Sequence, residues 1–116
     1  MFTQVLQATV KPKRLAEFRH GVAHHAMPAI RRQPGFVDAL TLFSANNFLC
    51  VTFWRSQHDS ERFTAGVLPR ILARTEPLLV GLARTEIFKV TSDTIHEREE
   101  TERKTEAAGH GLPAVA

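Results

Sequence analysis

The sequence has 116 residues, of which 43% are apolar and one is cysteine, and its Lys and Arg outnumber its Asp and Glu by three. The length suits one domain, and a single cysteine excludes an internal disulfide or a multi-cysteine zinc site. The sequence shows no signal-peptide pattern and no apolar stretch of ~18 residues, which predicts a cytoplasmic protein without membrane association. Because the basic residues are scattered and form no stripe, we expect no nucleic-acid binding.

The first predicted elements are a strand and a helix. Residues 2–10 alternate in hydrophobicity, which is typical of a strand, and Pro12 suits the start of a helix. An apolar stripe then runs along one face of residues 13–32, and the pair Pro34-Gly35 ends this helix. The stripe consists of Leu15, Phe18, Val22, Ala26 and Ala29, with Ile30 at its margin.

The centre of the chain predicts a β-hairpin, with strands at 36–44 and 47–54 and a tight turn around Ala45-Asn46-Asn47. Both faces are apolar: one carries Val37, Ala39, Thr41, Phe43, Phe48, Cys50, Thr52 and Trp54, and the other carries Phe36, Leu40, Leu42, Leu49, Val51 and Phe53, with Asp38 as the exception. Helices cover only one face of such a sheet, so the second face would leave a large apolar patch in water. We therefore expect a homodimer formed through the sheet face.

The remaining elements are a second helical region at 57–80, capped by Ser56 or Asp59 and divided by its two prolines, and a last strand at 82–90. The order β-α-β-β-α-β predicts an α+β fold of the ferredoxin-like type, with an antiparallel sheet and helices on one face. This domain is expected to span residues 1–91. Residues 92–116 hold three Lys/Arg against six Asp/Glu, which predicts a charged tail that is flexible or partly helical.

Four segments of the sequence occur together in a known family. They are the opening strand that ends in Val10-Lys11-Pro12, the helix that stops before Pro34-Gly35-Phe36, the strand that closes as Val51-Thr52-Phe53-Trp54-Arg55-Ser56, and the following helix with Phe63. With these segments, residues 2–90 resemble the antibiotic biosynthesis monooxygenase domain. The resemblance implies a homodimeric α+β barrel in which each subunit has a substrate pocket between its sheet and its helices. The family includes cofactor-independent oxygenases of aromatic polyketides, haem-degrading enzymes and proteins that handle aldehyde signals.

The resemblance also implies two site residues. In oxygenases of this family a tryptophan at the position of Trp54 lines the pocket and contacts an aromatic substrate, and an arginine can lie where this chain has Arg74. A cation there would stabilise a phenolate or enolate as charge develops. The alternatives are a tryptophan that packs in the core and an arginine that is only solvated.

The first helix contains three histidines. His25 falls on the apolar stripe close to Phe18 and Val22, so we expect it to face the sheet and to act as a base for a phenolic proton. The alternative is a histidine at the core margin that binds a backbone carbonyl. His20 and His24 have the i,i+4 spacing of metal ligands but fall away from the stripe, without a carboxylate in a recognised pattern, so no metal site is predicted.

The substrate-binding wall is predicted to include Phe18, Val22, Thr41, Cys50, Thr52 and Phe63. Mid-strand placement predicts that Cys50 is buried and inert. Cys50 and Ser60 stand where the quinone-forming branch of the family has Asn and Tyr, and the chain contains no Tyr. The haem-degrading branch has an Asn on its first strand and a His on the helix after the Trp. The first strand here has no Asn, and the only histidine at 57–80, His58, is too close to Trp54 to match, which disfavours haem degradation.

These observations together predict a monooxygenase-like enzyme that needs no metal or flavin and acts on a small, electron-rich aromatic compound or quinol. The substrate carbanion itself would activate dioxygen, with His25 as base, Arg74 as charge stabiliser and Trp54 as packing wall. Two other functions fit the same barrel. One is a small-molecule-binding or stress-associated dimer without catalysis, and the other is an isomerase or cyclase that does not use oxygen.

Overall fold

The computed structural model describes residues 1–91, and the tail predicted at 92–116 lies outside the described residues. The strands are β1 (Phe2–Thr9), β2 (Phe36–Ser44), β3 (Asn47–Trp54) and β4 (Arg84–Lys89). They form an antiparallel sheet with the spatial order β2-β3-β1-β4, and the helices cover one of its faces. The predicted ferredoxin-like α+β fold is confirmed.

The first helical region is continuous but not uniform. It consists of α1 (Leu15–Gly21), a π-helical turn (Val22–Ala26) and α2 (Met27–Arg31). A π-helical turn holds one more residue than an α-helical turn, so the residues that follow it are rotated relative to an ideal α-helix. As a result Met27 is buried while His25 is exposed. The prediction that His25 faces the sheet is therefore wrong, because it assumed an unbroken α-helical phase.

The second helical region is divided at Gly66, which separates α3 (Gln57–Ala65) from α4 (Val67–Thr75). The sequence had suggested Pro69 as the break. Pro69 lies in the first turn of α4, where a backbone N–H would have no partner within the helix in any case, so proline is tolerated there. The second proline lies in a 3₁₀ turn, Glu76–Leu78, which does end the region as expected.

Close contacts between the start of β2 and the start of α3 set the direction of the chain directly after Trp54. The Ser56 hydroxyl accepts from the Asp59 N–H at 3.1 Å and donates to the Asp59 carboxylate at 2.9 Å, which caps α3 as predicted. The Arg55 N–H donates to the Gly35 carbonyl at 2.9 Å. Gly35 has a φ of 78°, and a Cβ atom at this position would overlap Asp59, so the close approach requires glycine.

A β-bulge at the start of β2 changes the predicted faces of the hairpin. The register shifts between Phe36 and Asp38, so Phe36 pairs with Trp54 and joins the helix-covered side of the sheet. The Phe36 and Trp54 rings pack edge to face with centroids 5.9 Å apart, whereas Val37 is exposed. The sequence had placed these two residues on the opposite faces, because strict alternation ignores the extra residue of a bulge.

The two faces of the sheet differ in cover. The core lies between the sheet and the helices and includes Val10, Phe18, Val22, Met27, Ile30, Phe48, Trp54, Phe63, Leu68 and Leu79. On the other face, Leu40, Leu42 and Phe88 are 51%, 48% and 47% exposed. None of the described helices is long and apolar enough to cross a membrane.

Candidate functional site

A cavity of about 50 Å³ lies between the sheet and the helices. Of the predicted wall residues, Phe18, Val22, Cys50, Thr52 and Phe63 all line it. The rest of its lining is mainly aliphatic and comes from β1, α2 and α4, including Leu6, Met27, Ile30, Leu68, Ile71 and Leu72. The sheet and the helices thus enclose an apolar space at the position where the sequence predicts a pocket.

The size of the cavity limits what it holds without rearrangement. A dry engineered cavity of about 150 Å³ binds benzene, and pockets for larger ligands measure about 300–1,000 Å³. At about 50 Å³, this space is too small for an aromatic ring. An aromatic ligand therefore requires side chains to move, and Met27 lines the space with an unbranched, adaptable side chain.

Gln4 is the unusual member of this lining. Its side chain is 3% exposed, and neither its Nε2 nor its Oε1 has a hydrogen-bond partner. A buried polar group without a partner costs about 1–3 kcal/mol, so native proteins rarely keep one without a reason. Thr3 and Ser60 also have unpaired buried hydroxyls, but neither lines the cavity. The carboxamide of Gln4 is therefore the group best placed to bind the polar edge of a ligand.

Gln4 is not among the residues predicted from the sequence, although the sequence contains the pattern that marks it. The alternation of β1 puts Gln4 in one row with Leu6 and Ala8, which both line the cavity. A polar residue within a row of inward-facing apolar residues is the feature that identifies it.

Trp54 lies behind the cavity wall and contacts the lining residues Thr52 and Phe63. It is completely buried and does not line the cavity. Its Nε1–H donates to the Thr52 hydroxyl at 2.8 Å, and that hydroxyl donates in turn to the Gln4 backbone carbonyl at 3.4 Å. The indole also stacks on Phe63, with ring centroids 4.8 Å apart. The cavity therefore does not show the predicted direct contact between Trp54 and substrate; Trp54 instead contacts two residues that do line the cavity.

Arg74 and His25 lie outside the cavity. Both line an open groove between the first helical region and α4, together with His20, Arg32 and Arg70, and we call this the basic groove. The predicted juxtaposition of Trp54 with these two residues in one pocket is therefore wrong. Thr41 pairs with Cys50 in the sheet but is exposed and does not line the cavity, because β2 is the edge strand and the helices cover it only in part.

The cavity lining is uncharged at neutral pH. Among the described residues that line it, Cys50 is the one titratable side chain. The Gln4 carboxamide can donate from Nε2 and accept at Oε1 at the same time. The arrangement therefore suits an apolar, neutral ring system that carries a hydrogen-bond acceptor and a donor on one edge. Residues 1–91 contain no cluster of three His, Cys, Asp or Glu side chains that could hold a metal ion.

Burial raises the pKa of the Cys50 thiol from 9.0 to about 11. At pH 8 the folded protein should therefore hold about a hundredfold less thiolate than the unfolded chain, and Cys50 should react with a disulfide reagent at least that much more slowly. The unfolded chain releases this proton near pH 9 and the folded chain near pH 11, so stability should fall across that interval. Labelling kinetics with and without urea check the first expectation, and urea unfolding of wild type and Cys50→Ala at pH 8, 9.5 and 10.5 checks the second. Rapid labelling of the folded protein would contradict both.

The fold of this chain matches known structures, although its sequence matches no known family profile. No protein-family profile and no curated protein sequence matches the chain. Solved structures do match. SnoaB, a cofactor-independent oxygenase from Streptomyces nogalater, is 22% identical, with 79% of this chain and 94% of that chain covered and a TM-score of 0.64.

Two further matches show the range of this fold. A protein from Deinococcus radiodurans described as an antibiotic biosynthesis monooxygenase is 13% identical, with 80% and 95% of the two chains covered and a TM-score of 0.68. NE2512 from Nitrosomonas europaea, a protein of unknown function, is 15% identical, with 79% and 90% covered and a TM-score of 0.69. The chain therefore has the fold of the antibiotic biosynthesis monooxygenases, as the resemblance predicted.

Proposed function

We propose that this protein, built on the fold it shares with a cofactor-independent oxygenase, uses dioxygen directly to oxidise a small, electron-rich aromatic compound in its cavity. The observation that carries the proposal is the unpaired Gln4 carboxamide in an otherwise apolar cavity. An apolar lining limits the access of water to a reactive intermediate, and the carboxamide offers a polar contact that no other protein group occupies. An anthrone or a quinol has the matching shape, with flat apolar rings and an oxygen at one edge.

Gln4 supplies the main electrostatic contribution in this proposal. When the substrate ionises, charge collects on its oxygen, and a hydrogen bond donated from Gln4 Nε2 stabilises that charge in a medium of low polarity. The Thr52 hydroxyl donates to the Gln4 backbone carbonyl and accepts from the Trp54 indole, so these two residues support the strand segment that carries the carboxamide. Trp54 acts as a positioning residue.

The oxidation of an anthrone balances without a further reductant. One oxygen atom of dioxygen becomes the new carbonyl oxygen, and the other leaves as water with the two hydrogens of the reacting methylene. The substrate supplies the four electrons that dioxygen accepts. The described cavity residues include no base other than Cys50. The proton therefore leaves to solvent in the basic groove, once the side chains between the two spaces have moved to admit the substrate.

Oxygen uptake by purified protein tests this proposal. We expect substrate-dependent uptake above the buffer blank with at least one member of a panel of anthrones, naphthols and quinols. Trp54→Phe keeps an aromatic ring but loses the donor to Thr52, so its kcat/KM should fall about tenfold, the size of one lost hydrogen bond of about 1.4 kcal/mol. Trp54→Phe uptake equal to wild type would remove Trp54 from the proposal.

A ligand-binding protein without catalysis is the second candidate. The observation that favours it is the absence of a carboxylate or an imidazole from the described cavity lining. Trp54 is the single tryptophan of the chain and stacks on a wall residue, so its fluorescence reports ligand binding. Saturable quenching by the same panel without oxygen uptake or product formation would establish this second function in place of the first. Product formation without oxygen uptake would indicate an isomerase or cyclase.

We also propose that two copies of the chain pair through the uncovered face of the sheet. Leu40, Leu42 and Phe88 are about half exposed there, and Val5 and Val51 lie between them on the same face. Exposed apolar patches of this kind commonly mark protein interfaces. A symmetric pair would stack two such faces and cover both at once.

A further inference from the structure

The basic groove carries more positive charge than its surroundings balance. Arg70 and Arg74 are one helical turn apart on α4, so their side chains are neighbours and repel each other. Arg32, from the end of the first helical region, lines the same groove. Within residues 1–91 none of these three has a carboxylate within 4.0 Å, and the groove's Glu17 binds Arg14 at 2.7 Å. An anion in the groove would relieve this repulsion.

The basic groove and the cavity lie on opposite sides of the same few residues. Ala26, Ile71 and Thr75 line both spaces. The Thr75 hydroxyl donates to the Ile71 and Leu72 carbonyls at 3.0 and 3.3 Å, so it is occupied within α4. What separates the two spaces is therefore a thin apolar layer, mainly the half-buried Ile71 side chain beside the small Ala26. Rotation of Ile71 would join a space of about 50 Å³ to an open groove of about 790 Å³.

We propose that the groove and the cavity form one ligand site in two parts, and that the ligand is an aromatic compound that carries a carboxylate or a similar small oxyanion. The ring system passes Ile71 into the cavity and meets Gln4, while the anionic end stays in the groove with Arg70, Arg74 and Arg32. The proposal rests on the cavity as the ligand site of the proposed function. It assigns the groove arginines to recognition of the ligand's charged end, not to stabilisation of charge at the reacting atoms.

Two fluorescent probes that differ in one charged group test this inference. 1-Anilinonaphthalene-8-sulfonate carries a sulfonate on the ring system of the neutral N-phenyl-1-naphthylamine, and both brighten in apolar surroundings. The double variant Arg70→Gln/Arg74→Gln should weaken sulfonate binding about tenfold, because charge-assisted contacts are lost, and leave the neutral probe within about twofold. Ile71→Trp should weaken both probes, because the larger ring blocks the passage into the cavity.

A matched control removes the same net charge elsewhere. Arg31→Gln/Arg62→Gln changes two exposed arginines that do not line the groove, and the affinity for the sulfonate probe should stay within about twofold of wild type. The inference is overturned if this control weakens the sulfonate probe as much as the groove variant does. It is also overturned if the groove variant affects both probes equally, or if Ile71→Trp leaves both affinities unchanged. Oxygen uptake is not part of this readout, so failure of the oxygenase proposal leaves the result interpretable.

Discussion

Gln4→Leu is expected to make the protein more stable and less able to bind its ligand. Leucine is somewhat larger than glutamine, which the adjoining cavity can accommodate, and it places no unpaired amide there. Removing the unpaired group should raise the unfolding free energy by roughly 1–2 kcal/mol, which corresponds to about 5–10 °C in Tm for a domain of this size. The same change removes the carboxamide, which is the unpaired hydrogen-bonding group of the described cavity lining. Affinity for a naphthol or an anthrone should therefore fall about tenfold. Thermal unfolding and quenching of Trp54 fluorescence give the two readouts.

Gln7→Leu is the matched control for this change. Gln7 lies on the same strand but is exposed and does not line the cavity. Because Gln7 lies on the uncovered sheet face, where two copies are proposed to pair, the control applies to ligand affinity, which its replacement should leave unchanged. If Gln4→Leu lowered the Tm, the Gln4 amide would have a partner such as a bound water, and the cavity would be polar. If binding and oxygen uptake were unchanged in Gln4→Leu, the carboxamide would have no role in the site.

Leu40→Glu/Leu42→Glu is expected to convert a dimer of the full chain into a monomer. Both leucines lie at the centre of β2 on the uncovered sheet face. A two-fold axis places four of these side chains in one interface, and each should contribute at least about 1 kcal/mol by burial, so the dissociation constant should rise at least about a thousandfold. Added like charges facing each other increase the effect. Sedimentation velocity should show twice the 13.0 kDa chain mass for wild type and the single chain mass for the variant.

The control adds two glutamates elsewhere. Ala16→Glu/Ala65→Glu changes two exposed helix residues that lie away from the sheet, and this variant should remain a dimer. Circular dichroism should show the same helix content in both variants, because the altered side chains are exposed in the single chain. A wild-type protein that sediments as a monomer at about 50 μM would contradict the interface, since an apolar face of this kind should associate well below that concentration.

The order of elements was predictable because each one carries a strong local pattern. Alternation gave β1, and the paired strands of the hairpin followed from two apolar runs around a turn. The predictions that were wrong concern which face a side chain occupies, because one extra residue within an element shifts the faces of the residues near it. One extra residue in the π-helical turn moved His25 to the surface, and one extra residue in the bulge exchanged Phe36 and Val37. Composition does not mark either irregularity.

The candidate site was predictable in its walls and not in its polar groups. Phe18, Cys50 and Phe63 line the cavity because buried apolar residues of facing elements must meet in the core. Arg74 was misplaced because sequence spacing does not tell which side of α4 faces the cavity and which faces the groove. Gln4 was overlooked because a glutamine in a strand usually faces water, and its burial follows from the order of the sheet, where β1 lies between β3 and β4.

The π-helical turn at Val22–Ala26 has a consequence for how related sequences could differ. A π-helical turn and an α-helical turn that join the same two helices differ in length by one residue. Loss of one residue within this turn could therefore leave α1 and α2 in place against the sheet and change which side chains face the groove. An insertion or deletion of a single codon would then alter the ligand preference of the fold and leave the core side chains of α1 and α2 packed as before. Most helices do not allow such a change in length.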